Sequence, residues 1–164
     1  MIEIIEKRET DQDISSDYDL NIKKIVVAID LSLHSEKTAA YAVEFARSFE
    51  ASITLVHVFP TEHITEFTSQ EVHASFEEGQ RATQQELRAL LESLRESYPD
   101  CNMEFRIGDP AEQVTQLARE TNADLIITAS HHPGFLGRLF GLDQAPRILH
   151  RASCPVLVYH EGAE

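Results

Sequence analysis

Three groups of residues in the 164-residue chain have side chains that could do chemistry. Asp30, with Ser32, His34 and Ser35 close behind it, follows the apolar run Ile25-Val26-Val27-Ala28-Ile29. Ser130-His131-His132 follows a second such run, Leu125 to Ala129, and leads into a segment carrying Gly134, Gly137, Arg138, Gly141, Leu142 and Asp143. Cys101 and Cys154 are the only thiols. Two adjacent imidazoles raise the possibility of a metal or a general base. Neighbouring side chains usually point apart, however, and neither an HxH nor an HExxH spacing is present, so no metal ligand is expected. Ser32, Ser35 and Ser130 lack the glycine-flanked elbow that exposes a nucleophilic serine, so acyl transfer and a catalytic residue are not expected either. The cysteines form no CxxC and have no His/Cys cluster at zinc spacing. They read as half-buried thiols of a reducing compartment.

The elements that must position these residues alternate. Lys24 to Ile29 is short, continuous and β-branched, the mark of a strand buried on both faces of a parallel sheet. Ser32 or Ser35 offers an N-cap for a helix whose apolar face is Ala39, Ala42, Val43, Ala46 and Phe49. Ile53 to Val58 is a second strand, closed by Pro60. A long helix is expected from about Ser69 to Ser97, with Val72, Phe76, Thr83, Leu87, Leu90, Leu91, Leu94 and Tyr98 as its stripe and Gly79 as a loosening point. Met103, Phe105 and Ile107 alternate as a third strand. Gly108-Asp109-Pro110 is a strand-to-helix turn, in which glycine permits unusual angles, Asp109 caps and Pro110 fits the first helical position. Asp124 to Ala129 is the fourth strand, a short helix with Ile148 and Leu149 follows, and Pro155 to Tyr159 is the last strand. Five strands alternating with four helices predict an α/β fold, a doubly wound parallel sheet with helices on both faces.

Composition narrows the function classes. The chain is 42% hydrophobic and can bury a core without staples, and its net charge is −14. That charge disfavours nucleic-acid backbones and anionic membranes, which need lysine and arginine to displace counterions. It leaves room for a small anion held by backbone N–H groups. With no apolar run of membrane length and no basic-then-apolar leader, a soluble cytoplasmic protein is expected. Residues 1–21 are acidic and poor in apolar side chains, and read either as a partner tether or as a tolerated tail.

Taken in order, Ile25 to Asp30 with Ser32, His34 and Ser35, then Gly108-Asp109-Pro110-Ala111, Ala123 to Ile127, Ser130-His131 and Ala152 to Val158 resemble the universal stress protein (UspA-type) family. The resemblance covers residues 22–160, which we take as one domain between the acidic arm 1–21 and a tail 161–164. It implies strand order 3-2-1-4-5, a cytoplasmic stress-linked role, homodimers, and ATP binding in some members only. Ligands of open α/β sheets sit beyond the carboxyl ends of the strands where the order reverses, here between strands one and four. On that implied order Asp30, Ala129, Ser130 and His131 meet at one crevice, with Val56 on the neighbouring strand, as a candidate adenosine side. Asp30 matches the acid that nucleotide-binding members use there. It also reads as a cap for the turn into the first helix, and one side chain could do both.

The phosphate loop departs from the family pattern. ATP-binding members resemble Gly-x2-Gly-x9-Gly-Ser, whose glycines let N–H groups approach phosphate. The corresponding positions here are Ala129, His132, Leu142 and Asp143, with Gly141 one place early. A carboxylate within ~4 Å of a phosphate charge costs about 1 to 4 kcal/mol at surface-like dielectrics. Arg138 and Arg147 offset part of that only if they point inward. Weak or no ATP binding is therefore expected, with AMP or ATP as the only cofactors the resemblance suggests. Phe135, Leu136, Leu139 and Phe140 read as core contacts or as an exposed partner patch. The last strand, Val156-Leu157-Val158-Tyr159, carries no charge, and on the implied order it lies at an edge that needs covering. Self-pairing about a two-fold axis is the simplest cover. The expected function is that of a homodimeric stress-response regulator, acting through a ligand and an unidentified protein partner rather than by turnover. The alternatives are a nucleotide-binding member with slow ATP hydrolysis or autophosphorylation, and a structural interaction subunit.

Overall fold

A computed structural model describes residues 20–61, 70–130 and 144–160. The strands are β1 (Lys24–Ala28), β2 (Ser52–Phe59), β3 (Cys101–Ile107), β4 (Leu125–Ser130) and β5 (Val156–His160). The helices are α1 (Ser35–Phe49), α2 (Gln70–Ser97), α3 (Pro110–Thr121) and α4 (Gln144–Arg151). All four strand pairings are parallel and the order is β3-β2-β1-β4-β5, as the resemblance implied. Both faces of the central strands are buried. Ile25, Val27, Ile53, Leu55 and Ile127 pack against Ala39, Ala42, Val43 and Ala46 of α1 and Leu87, Leu91 and Leu94 of α2. Val26, Val56, Val58 and Ile126 pack on the other face against Val114, Leu117 and Ala118 of α3 and Ile148 of α4. Continuous apolar strand runs follow from that double cover.

Several local readings change. Helix α1 has His34 at its N-cap with no side-chain cap bond, so neither Ser32 nor Ser35 caps it. Instead Asp30 accepts the main-chain N–H of Ser32 and the hydroxyl of Ser35. Helix α2 runs unbroken through Gly79, where an added Cβ would meet the Phe59 ring at ordinary contact distance. Ile107 and Leu149 are exposed: Ile107 ends an edge strand, and only Ile148 of the Ile148-Leu149 pair turns inward. The side chain of Val72 lies outside the described residues.

The turn into α3 follows its sequence closely. Gly108 adopts a φ of 138°, Asp109 Oδ1 accepts the Glu112 N–H at 2.9 Å, and Pro110 opens the helix. Cys101, at the head of β3, and Cys154, just before β5, are both free and sit at opposite edges of the sheet. Burial raises both thiols above their ordinary range, with help from Asp100 and Asp124 respectively, so neither is an activated nucleophile.

Candidate functional site

The sheet order reverses between β1 and β4, where Ala28 pairs with Thr128. Two residues further along each strand stand Asp30 and Ser130, so the topology brings both to the carboxyl end of one strand pair. Neighbouring strands there lie about 4.8 Å apart.

Asp30 sits in a built turn. Its Oδ1 accepts the Ser32 N–H at 3.0 Å and the Ser35 hydroxyl at 2.9 Å. Ser32 Oγ accepts the His34 N–H at 3.3 Å, and Ser32 O accepts the Ser35 N–H at 3.0 Å. The turn role of Asp30 is thus realised, and it orients the carboxylate at the switch point. Between Asp30 and Ser32 the backbone is strained: Leu31 has φ 59°, in the left-handed region. Glu50 and Asn122 share that conformation, but each is a helix C-cap with its N–H bonded back into the helix. Leu31 follows a strand and has no such reason. Left-handed backbone costs a side-chain-bearing residue about 1 to 2 kcal/mol and persists only where the surroundings impose it.

The backbone just before this turn is held from β2. The Ile29 N–H bonds to Val56 O at 2.9 Å, and the Ile29 carbonyl meets His57 Nδ1 at 2.8 Å. Val56 is only 1% exposed, so its share in this end of the sheet is main-chain. Ala129 is half-buried and pairs with Tyr159, and Ser130 pairs with His160. The ring of Tyr159 lies 4.8 Å from that of Tyr41 on α1. His131, His132, Gly141, Leu142 and Asp143, with Arg138 and the Phe135–Phe140 patch, lie outside the described residues.

Two features were not foreseen as site elements. His57 is buried beside the Phe105 ring, whose centroid is 6.1 Å away. Burial lowers its pKa, outweighing the Ile29 hydrogen bond and the fields of Asp30 and Glu86, which raise it. The signal for it was a ring nitrogen pair between Val56 and Val58 in the largely apolar run Ile53 to Val58, since a buried polar group needs a partner. The second feature is the engagement of Arg147. Its guanidinium donates to Asp109 Oδ2 at 2.6 Å and to Gln144 Oε1 at 3.0 Å. It ties α4 to the start of α3 rather than pointing to a phosphate.

A family model, the universal stress protein family, matches residues 21–160. The chain belongs to that family. Among curated relatives, universal stress protein A homolog 1 of Coxiella burnetii is 32% identical over 143 residues, which are 84% of this chain and 96% of the relative. Among solved structures, a universal stress protein in complex with cAMP superposes with a TM-score of 0.63 at 19% identity, covering 85% of this chain and 98% of that one. The universal stress protein from Archaeoglobus fulgidus in complex with dAMP gives 0.58 at 20% identity, covering 84% and 98%. At those identities the two structures establish the shared fold. Among the described residues, no helix of this universal stress protein is long and apolar enough to cross a membrane.

Proposed function

We propose that this universal stress protein acts by binding rather than by turnover. It takes an adenosine-bearing ligand with one phosphate or none at the β1–β4 crevice, and passes that state to a protein partner as a homodimer. The observation that carries the reading is the Asp30 turn: a carboxylate oriented by two donors at the point where the strand order reverses. Switch points of open α/β sheets are where such ligands lie. The adenosine side is assigned to Asp30, Val56, Ala129, Ser130 and His131. Two proteins of this fold were solved with cAMP and with dAMP, ligands that carry a single phosphate.

ATP fits this chain poorly. In the sequence, His132, Leu142 and Asp143 fall at loop positions where glycine and serine would open an approach to phosphate, and a carboxylate in place of that serine disfavours a phosphate. Arg147, the described cation closest in sequence to that loop, is held by Asp109. For the dimer we assign the β5 edge. Among the described residues β5 pairs with β4 alone, and Val158 is 40% exposed along it while Val156, Leu157 and Tyr159 are half-buried. Titration calorimetry with adenosine, AMP and ATP tests the ligand reading. AMP or adenosine should bind at least as tightly as ATP. Low-micromolar ATP binding, tighter than AMP, would refute it.

A further inference from the structure

His57 is the buried imidazole of the described fold, 9% exposed, and no cofactor, ion pair or catalytic step accounts for it. Its ring nitrogen Nδ1 lies 2.8 Å from the carbonyl oxygen of Ile29. A carbonyl only accepts, so Nδ1 carries the hydrogen, and burial favours the neutral ring. The regular β1 ladder stops at Ala28, one residue before that carbonyl. Ile29, just past that ladder, has both of its backbone groups bonded to β2, its N–H to Val56 O and its C=O to the imidazole. The next residue is Asp30, and the one after it is the strained Leu31. Phe105, opposite His57 in the β2–β3 register, stacks on the imidazole and limits its rotation.

We infer that His57 is a positioning residue for the ligand-binding turn, fixing the Ile29 carbonyl from the adjacent strand and with it the direction in which Asp30 leaves the sheet. The side chain does not touch the ligand. Its effect passes through one peptide unit, which sets where the Asp30 carboxylate starts and supports the left-handed Leu31 that brings Ser32 and Ser35 back to it. The inference deepens the nucleotide reading and rests on it for one of its two measurements.

The test uses the full chain with His57→Leu, which fills the space without a donor, and His57→Asn, whose amide nitrogen can take the place of Nδ1. The first measurement needs no ligand. Amide hydrogen exchange at Ser32, His34 and Ser35 should quicken about tenfold in His57→Leu, the equivalent of one net hydrogen bond, and return towards wild type in His57→Asn. Val26 and Val27, in the middle of β1, should stay protected in both. The second measurement is AMP affinity, which should fall about tenfold in the leucine variant and recover in the asparagine variant. Wild-type exchange at the three turn amides of His57→Leu overturns the inference, as does an asparagine variant no better than leucine. A histidine needed only to fill the core would give that pattern. If the leucine variant does not fold, nitrogen-15 spectra of the wild-type imidazole decide the matter: hydrogen on Nδ1 supports the role and hydrogen on Nε2 alone overturns it. A wild-type protein that binds no AMP refutes the nucleotide reading, while the exchange measurement still decides the role of His57.

Discussion

Replacing Asp109 by alanine should destabilise the protein by about 2 to 2.5 kcal/mol, the sum of two contacts made by one carboxylate. Oδ1 caps α3 through the Glu112 N–H at 2.9 Å, and losing such a cap costs about 1 kcal/mol. Oδ2 receives Arg147 at 2.6 Å, with the two side chains 24% and 28% exposed. That contact lies between an exposed ion pair at ~0–1 kcal/mol and a charge-assisted hydrogen bond at ~1.5–3, so about 1 to 1.5 kcal/mol is expected. Arg151, 4.0 Å away and half exposed, adds little. Asp109→Asn keeps a capping oxygen and should lose about half as much, as should Arg147→Ala. The pH dependence has a definite sign. Burial alone would raise the Asp109 carboxyl, but the Glu112 N–H, the Arg147 hydrogen bond and the charges of Arg147 and Arg151 hold it below its ordinary value. Its contribution is therefore complete above the unfolded value of ~3.9 and is lost as pH falls through the lower folded one. Urea unfolding of the three variants and the Asp109→Ala/Arg147→Ala double variant, at pH 7 and below pH 4, measures all of this. Asp109→Ala within ~0.5 kcal/mol of wild type at pH 7, smaller than the cap alone, would refute the reasoning.

Two further predictions concern the site loop and the edge. Leu142→Gly with Asp143→Ser should raise ATP affinity about tenfold by calorimetry, since removing one close charge is worth about 1 to 4 kcal/mol; an unchanged affinity would show that these positions do not face the phosphates. Val158→Lys places a charge on the exposed β5 edge and should shift the sedimentation profile from dimer towards monomer. A wild-type protein that is monomeric at tens of micromolar, roughly where an interface of ~1,200 Å² should hold, would refute the β5 dimer.

The fold was legible because its signals are local and redundant. Ile25 to Ile29 is apolar at every step, and Leu125 to Ala129 at every step but the buried Thr128, because both faces of β1 and β4 are covered, and no amphipathic strand would read that way. Gly108, Asp109 and Pro110 each state part of the same turn, and the observed φ, cap and first helical residue agree with all three. The start of α1 misled because Ser32 and Ser35 are good capping types in capping positions, yet the Asp30 carboxylate, two residues before the first and five before the second, takes the Ser32 N–H and the Ser35 hydroxyl. No residue type announces that Leu31 is left-handed. Glycine or asparagine would have done so, and leucine holds the conformation only through contacts made elsewhere in the fold.

The same asymmetry governs the site. Asp30 could be found because its chemistry is its own: an acid at the end of a buried strand, next to the reversal of order. His57 stands one strand away from that reversal, on β2, and its role depends on a main-chain oxygen of another strand, and main-chain oxygens are identical at every position of a sequence. What the sequence could state was the demand, a polar ring among Leu55, Val56 and Val58. Only the register of β2 on β1, which sets Leu55 beside Val27 and Val56 beside Ala28, fixes which carbonyl meets it. One residue further along that ladder is Ile29, the first β1 carbonyl beyond the paired residues, and the imidazole takes it. A buried donor at the end of a ladder thus does for the strand what a cap does for a helix. Here the strand so closed is the one that delivers Asp30.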